Sequence, residues 1–231
     1  MIDMHVHILP GVDDGAQDEA MTRKMMRRAS EAGVNYIVCT PHVYRPEDHR
    51  RNRSAWSAAK RIAHEYSIGM AMGCELNYRA LAALKGDMEA LGAFCLGPTP
   101  CLLLEFSGDH PMPGWEYVIT DMTDNGYLPI VAHPERYSYI QKDVKFAQAM
   151  VELGCELQID AGGLMAGLMS AERRTARKLL KSGLVSYIAS DAHTPQDYDA
   201  YEKAYKAFGE DWPQRNRLTD ALRRHAKEKR R

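Results

Sequence analysis

Apolar residues along this chain fall in short continuous runs, separated by longer stretches in which they recur every three to four positions. The short runs, at residues 2–6, 36–40, 68–73, 102–106, 128–132, 156–160 and 186–190, read as buried strands. The longer stretches, including 18–32, 55–66, 115–125, 143–153 and 171–181, read as amphipathic helices. Gly33, Gly126, Gly154 and Gly183 follow four of the helical stretches, where a left-handed residue ends a helix at little steric cost. Strands alternating with helices, without a long polar linker, predict one parallel sheet, either doubly wound or closed into a barrel. A single domain over residues 1–231 is expected, since α/β barrels commonly reach this size undivided.

Composition narrows the partners. The chain is 45% hydrophobic and 26% charged with a formal net charge of −1, so no global attraction to nucleic acid or membrane is implied. No apolar run is long enough to span a bilayer, and the start carries no secretory pattern, so a cytoplasmic protein without membrane insertion is expected. The five cysteines (Cys39, Cys74, Cys95, Cys101, Cys155) form no CxxC, which argues against a zinc ribbon or a dithiol redox site. Residues 223–231 are strongly basic and read as the solvated end of a C-terminal helix or tail over about 215–231.

The chemistry sits at the strand ends. His5 and His7, two apart on an extended segment, point to the same side. His42 follows the second strand, Glu75 the third, Glu105 closes the fourth, His133 follows the fifth, and Asp191 and His193 follow the seventh. Asp13 and Asp14 lie in the first loop. A lone histidine after a strand is usually a hydrogen-bonded structural residue, and a lone acid usually a cap. Those readings do not account for such groups at nearly every strand end, which in a parallel barrel is the rim that holds active sites. His49, His64 and His225 fall in polar or helical stretches and read as surface residues, and His110 lies in a loop. Imidazoles and carboxylates suit zinc, iron or manganese. Nine ligands (five His, two Glu, and two Asp, one of them from the loop pair) exceed what one ion takes, so two or three divalent ions with a bridging carboxylate fit better. Close cations of this kind polarise a phosphoryl group and activate water near neutral pH.

One motif points elsewhere. Cys39 to Arg45 matches the C-x5-R spacing of cysteine-dependent phosphatases. That chemistry needs a glycine-containing loop of converging N–H groups around an activated thiolate, and this segment has no glycine and contains Pro41. Cys39 reads as a buried strand residue.

The ordered motifs resemble a known family. His-x-His in the first strand, a histidine after the second and a final Asp-x-His resemble the PHP (polymerase and histidinol phosphatase) superfamily. Residues 4–15 (MHVHILPGVDDG), with Thr40-Pro41-His42, Gly73-Cys74-Glu75, His133-Pro134-Glu135-Arg136-Tyr137 and Ser190-Asp191-Ala192-His193, are similar to the bacterial manganese-dependent protein-tyrosine phosphatases of capsule and exopolysaccharide operons, the CpsB/YwqE type. The resemblance implies a distorted seven-stranded, TIM-like α/β barrel with three metal sites. It assigns His5, His7, Glu75 and Asp191 to one ion, Glu105 and His133 with a bridging Glu75 to a second, and Asp14, His42 and His193 to a third. It gives Arg136 the role of binding phosphate, for which a guanidinium fork is suited; the competing reading of Arg136 is a salt bridge to Glu135 or Asp160. Arg136, Asp191 and Glu105 are thereby the catalytic candidates, and Arg136 and Arg45 the candidates for substrate binding. One departure stands out: the family's Asp-x-His is commonly followed by Asn and a second arginine, whereas Thr194-Pro195-Gln196-Asp197-Tyr198 follows here, with no arginine before Arg215.

The expected activity is hydrolysis of phosphotyrosine on a protein, with a bacterial tyrosine kinase controlling polysaccharide synthesis as the implied partner. Two rivals share the ligands: a small-molecule phosphomonoesterase of the histidinol-phosphate type, and a barrel that has lost catalysis and acts as a regulatory partner. Tyr198, Tyr201 and Tyr205, at helical spacing, are expected to pack the last barrel helix.

Overall fold

The computed structural model describes residues 1–84, 86–209, 218–222 and 224, and the side chains of all of these except 49–54. Its strands are β1 (Ile2–Val6), β2 (Tyr36–Cys39), β3 (His42–Val43), β4 (Gly69–Met72), β5 (Glu75–Asn77), β6 (Cys101–Glu105), β7 (Leu128–Ala132), β8 (Glu156–Asp160) and β9 (Val185–Ala189). All pair in parallel, in the orders β1-β2-β4 and β3-β5-β6-β7-β8-β9.

The two sheets are one wall. Cys39 pairs with Met72 and His42 with Glu75, so the register is unchanged from β2/β4 to β3/β5. Hydrogen bonds from Gly73 N to Cys39 O (2.8 Å) and from Glu75 N to Pro41 O (3.1 Å) carry the ladder across. The second and third expected strands are therefore single strands interrupted at Thr40-Pro41 and Gly73-Cys74. Pro41 lacks an N–H, and at Gly73 a Cβ would lie 2.7 Å from Leu96 Cδ2. The far edge returns to β1 through a Val6–Ala192 bridge, with Asp191 N donating to His5 O and His7 N to Ala192 O, both at 3.0 Å. This is a distorted seven-stranded α/β barrel.

Helix Glu19–Glu31 shows how the sequence makes the outer layer. The Asp18 side chain accepts from Met21 N at 2.7 Å and caps the first turn, a contact worth about 1 kcal/mol. Thr22, Met25, Met26 and Ala29 form its buried face, and Gly33 leaves it at φ +87°. The helix expected at 55–66 begins earlier, as Asp48–Glu65. Its first residues carry no apolar position for periodicity to detect.

Two apolar clusters separate inside from outside. The inner one joins Ile2, Met4, Tyr36, Val38, Ala71, Leu103, Ile130, Ala132, Tyr187 and Ala189 from the strands, with Leu218 and Leu222 from the chain's last described helical turn. The outer one joins the opposite strand faces, such as Val6, Ile37, Leu102, Leu104, Val131, Leu157, Ile159 and Ile188, to the surrounding helices. Tyr198 and Tyr201 are fully buried against it, as expected, whereas Tyr205, one turn further on, lies exposed at the surface instead of packing. His110 is exposed. The side chain of His49, together with Arg215, His225 and most of the basic stretch 223–231, lies outside the described residues.

Candidate metal centre

Every strand-end group named from the sequence reaches the same mouth. Ligand atoms lie within 4.8 Å of one another in four overlapping groups: His7, Asp14, His42 and His193; His5, His7 and Glu75; His5, His133 and Asp191; and His42, Glu75 and Glu105. The grouping is more entangled than the division implied by resemblance, because His7 also joins the Asp14 group and His42 also joins Glu75 and Glu105. His7 stacks on His193 with ring centroids 4.0 Å apart.

The imidazoles are aimed by their rear nitrogens. His5 Nδ1 lies 2.8 Å from Gln158 Oε1, and His7 Nδ1 lies 2.8 Å from Asp13 Oδ2. A proton held at Nδ1 by these acceptors leaves the Nε2 lone pairs facing inward. There His5 Nε2 is 3.1 Å from Asp191 Oδ1 and 3.4 Å from Glu75 Oε2, and His7 Nε2 is 3.2 and 3.5 Å from the same atoms. His42 Nδ1 lies 2.8 Å from Glu75 Oε2, and His133 Nε2 lies 2.6 Å from Glu75 Oε1. Glu75 Oε2 and Asp191 Oδ1 are buried and have no hydrogen-bond partner among the described residues. An orphaned buried carboxylate oxygen surrounded by imidazole nitrogens is costly unless a cation sits among them. The donor set fits divalent ions.

The electrostatics say the same. Burial alone would raise the Glu75 and Asp191 carboxyls, but His5, with His133 beside Glu75 and His7 beside Asp191, holds both below the usual carboxylate range. Burial opposes charge on His133, yet the Glu75 carboxylate wins and pushes it up to about 10. His5 and His7 are raised by the same contest between burial and the neighbouring carboxylates. The mouth is a concentration of negative charge that seeks cations.

Two further arrangements act from behind. Asp197 Oδ2 accepts from His193 N (3.0 Å) and from Thr194 N (2.7 Å) and Oγ1 (2.9 Å), pinning the turn that carries His193. At Gly15 a Cβ would lie 2.0 Å from His7 O, so only glycine lets the loop bearing Asp13 and Asp14 close over β1. Gln158 and Asp197 are not singled out by the sequence, and Asp13, named there only beside Asp14 in the first loop, acts through His7.

The arginines sit differently from one another. Arg136 Nη2 lies 2.6 Å from Asp160 Oδ2 and 2.7 Å from Asp191 Oδ2, with the side chain 42% exposed. The salt bridge to Asp160 weighed in the sequence reading is present, and the same guanidinium also touches the centre through Asp191. Arg45 is 67% exposed and paired with Asp48 at 3.1 Å. It lines the outer part of a cleft of about 380 Å³ together with Val12, Asp13, Asp14, His42 and Tyr44. Glu105 accepts from Asn77 Nδ2 at 2.7 Å. Cys39 is fully buried, and burial, reinforced by Asp13 and Asp3, pushes its thiol well up. No thiolate nucleophile exists there.

Fold and site together define an α/β barrel with a cluster of imidazoles and carboxylates, able to hold metal, at the C-terminal ends of its strands. A profile of the capsular polysaccharide synthesis family CpsB/CapC matches residues 1–215, and the chain belongs to that family. The tyrosine-protein phosphatase YwqE of Bacillus subtilis is 33% identical over 224 residues, covering 92% of this chain and 87% of that protein. The tyrosine-protein phosphatase CpsB of Streptococcus pneumoniae is 26% identical over 226 residues, covering 90% of this chain and 91% of that one. A crystal structure from work on these two proteins, described as metal-dependent tyrosine phosphatases, superposes with a TM-score of 0.77 at 29% identity, covering 91% of this chain and 87% of that chain. A candidate histidinol phosphatase of Listeria monocytogenes shares the fold, with a TM-score of 0.51 at 11% identity, covering 90% of this chain and 100% of that chain. Among the described residues no helix is long and apolar enough to cross a membrane.

Proposed function

We propose that the chain is a metal-dependent protein-tyrosine phosphatase holding two or three divalent ions, manganese foremost, through His5, His7, Asp14, His42, Glu75, Glu105, His133, Asp191 and His193. The observation that carries this is the pair of buried carboxylate oxygens, Glu75 Oε2 and Asp191 Oδ1, each ringed by imidazole nitrogens and without a hydrogen bond. Ions held there supply charge to polarise a phosphoryl group and lower the pKa of water.

The chain's own residues do the rest. Gln158 and Asp13 keep His5 and His7 in the tautomer that presents Nε2. Arg136, anchored on Asp160 and Asp191, retains further N–H donors for the equatorial oxygens of a phosphate placed over the centre. Tyr44, 47% exposed and stacked at 5.2 Å on His42, offers an aromatic wall beside an aryl ester, and Arg45 stands at the edge of the same cleft. We assign transfer directly to water; a cysteine phosphoenzyme does not compete, because Cys39 is fully buried and burial pushes its thiol well up. The phosphotyrosine-bearing substrate we assign is a protein, with a bacterial tyrosine kinase as the natural partner given the capsule family. All five cysteines are buried free thiols, which fits a reducing cytoplasm.

Asp191→Ala tests the reading. The variant is expected to lose bound metal by elemental analysis and at least 10²-fold in p-nitrophenyl phosphate hydrolysis, and chelation of the parent should match it. Full activity in metal-free Asp191→Ala protein refutes the assignment. A preference of more than about tenfold for a phosphotyrosyl peptide over histidinol phosphate, about 1.4 kcal/mol, separates protein from small-molecule substrates.

A further inference from the structure

Helix Ala171–Lys181 follows β8 and packs on the turn Pro134–Arg136 that carries the arginine of the centre. Its sequence, AERRTARKLLK, holds five cations and a single acid. Thr175, Ala176 and Leu179 form the buried face, leaving Arg174 and Lys178 exposed on adjacent turns. Across from them, helix Ser138–Lys142 begins two residues after Arg136 and presents Lys142. The two helices enclose a cleft of about 390 Å³ lined by Ser138, Gln141, Lys142, Arg174, Thr175 and Lys178.

The charge in this cleft is not accounted for by the fold. Among the described residues no carboxylate forms an ion pair with Lys142, Arg174 or Lys178. Arg174 sits in the first turn, where the helix dipole disfavours a cation. Its side chain donates from Nη1 to Met169 O at 2.7 Å and ties down the loop whose tip exposes Leu168 (78%) and Met169 (87%). Three exposed cations around one concavity repel only weakly in water, but together they favour an anion placed between them. Hydroxyl and amide groups in the wall, from Ser138, Thr175 and Gln141, suit a peptide.

We propose that this cleft docks an acidic segment of the polypeptide that carries the phosphotyrosine, holding its carboxylates outside the metal centre while the phosphate enters the mouth past Arg136. The proposal rests on the phosphatase reading above. It assigns recognition of the protein to one face of the barrel and chemistry to another, so the two are separable by substitution.

The test uses the manganese-loaded protein and its Lys142→Gln/Lys178→Gln variant, both positions being exposed and free of ion pairs. Two fluorescent peptides of equal length, one with glutamates flanking an unphosphorylated tyrosine and one with glutamines, are titrated by anisotropy at low and moderate salt. Their phosphotyrosyl counterparts and p-nitrophenyl phosphate are assayed for kcat and KM. The expected result is a Kd and a KM about tenfold higher in the variant for the acidic peptides alone, a flatter salt dependence, and unchanged p-nitrophenyl phosphate kinetics. Equal effects on acidic and neutral peptides, or none on either, overturn the proposal while leaving the phosphatase reading intact if the peptides are hydrolysed. Cleft-dependent binding of the acidic peptide without hydrolysis by the parent sustains the docking site and removes the phosphatase reading. Loss of binding to phosphatidylserine vesicles with acidic-peptide binding unchanged also overturns it, in favour of a membrane surface.

Discussion

Replacing Gln158 with leucine isolates the orientation of His5 from its presence. Gln158 is fully buried on β8, its Oε1 2.8 Å from His5 Nδ1 and its Nε2 donating to Asp160 Oδ1 at 2.8 Å. Leucine keeps most of the volume but leaves both partners unpaired, at about 1–3 kcal/mol each. Part of that returns as apolar burial, so the expected destabilisation is about 2–4 kcal/mol. The effect on the centre is more specific. Without an acceptor behind it, the neutral His5 ring is free to carry its proton on Nε2, the atom that faces Glu75 and Asp191. Loss of such a supporting contact weakens metal binding by about 10–100-fold. Manganese titration followed by the EPR signal of the free ion gives the affinity, and urea unfolding with metal present gives the stability. Turnover should return in Gln158→Leu as manganese is raised, because the ligand is misdirected rather than missing. An affinity within twofold of the parent, or activity that no excess of metal restores, refutes the reasoning.

The remaining predictions are simpler. Cys39→Ser should keep p-nitrophenyl phosphate hydrolysis within about threefold of the parent; a fall to background would reinstate the cysteine mechanism that the buried, protonated thiol argues against. Asp3 is raised from 3.8 to about 6, by burial against the opposing Ser190 hydrogen bonds, so the folded state holds its proton more tightly than the unfolded chain does. Its stabilising contribution is complete below about pH 4 and lost as pH rises through about 6; Asp3→Asn should therefore gain roughly 3 kcal/mol relative to the parent between pH 4 and 7.5 in urea unfolding, and a pH-independent difference would contradict it.

Much of this architecture was legible because two periodicities were strong. Strands β1, β7 and β8 coincide with the apolar runs at 2–6, 128–132 and 156–160, since each is buried on both faces and bounded by turn residues. The convergence of the strand-end groups was legible for a different reason: a polar residue after one buried strand is unremarkable, but its recurrence around a closed wall places all of them at one mouth. What escaped is what stands behind the converging groups and aims them. Gln158 looked like one polar residue inside ELQID, and only the distance to His5 shows that it aims an imidazole. Asp197 lay in a stretch that only departs from the family pattern, and its bonds to His193 and Thr194 depend on a turn that periodicity does not describe. The interruptions of the second and third strands had their signals in Pro41 and Gly73, but a preserved register across a break can be seen only in the pairing.

The alternation of strand side chains explains where the site is strained. Val38 and Ala71 belong to the inner cluster, and counting by twos along their strands brings His42 and Glu75 inward; Leu103 does the same for Glu105. Two strands break the count. In β1, Ile2 and Met4 face inward, which would turn His5 and His7 out, and the pairing register shifts between Asp3 and Val6 so that both imidazoles join the mouth instead. In β7, Ala132 faces inward, which would send His133 to the helices; His133 instead adopts φ +34°, reversing its direction at about 1–3 kcal/mol. Alternation alone, from Ala189, would aim Asp191 correctly, and its own left-handed φ of +48° serves a different end. That conformation lets its N–H reach His5 O and the next residue bridge Val6, so the residue that closes the barrel is also one that faces the imidazoles at the mouth. Closure of the wall and assembly of the centre are one event, and destabilising either should loosen the other.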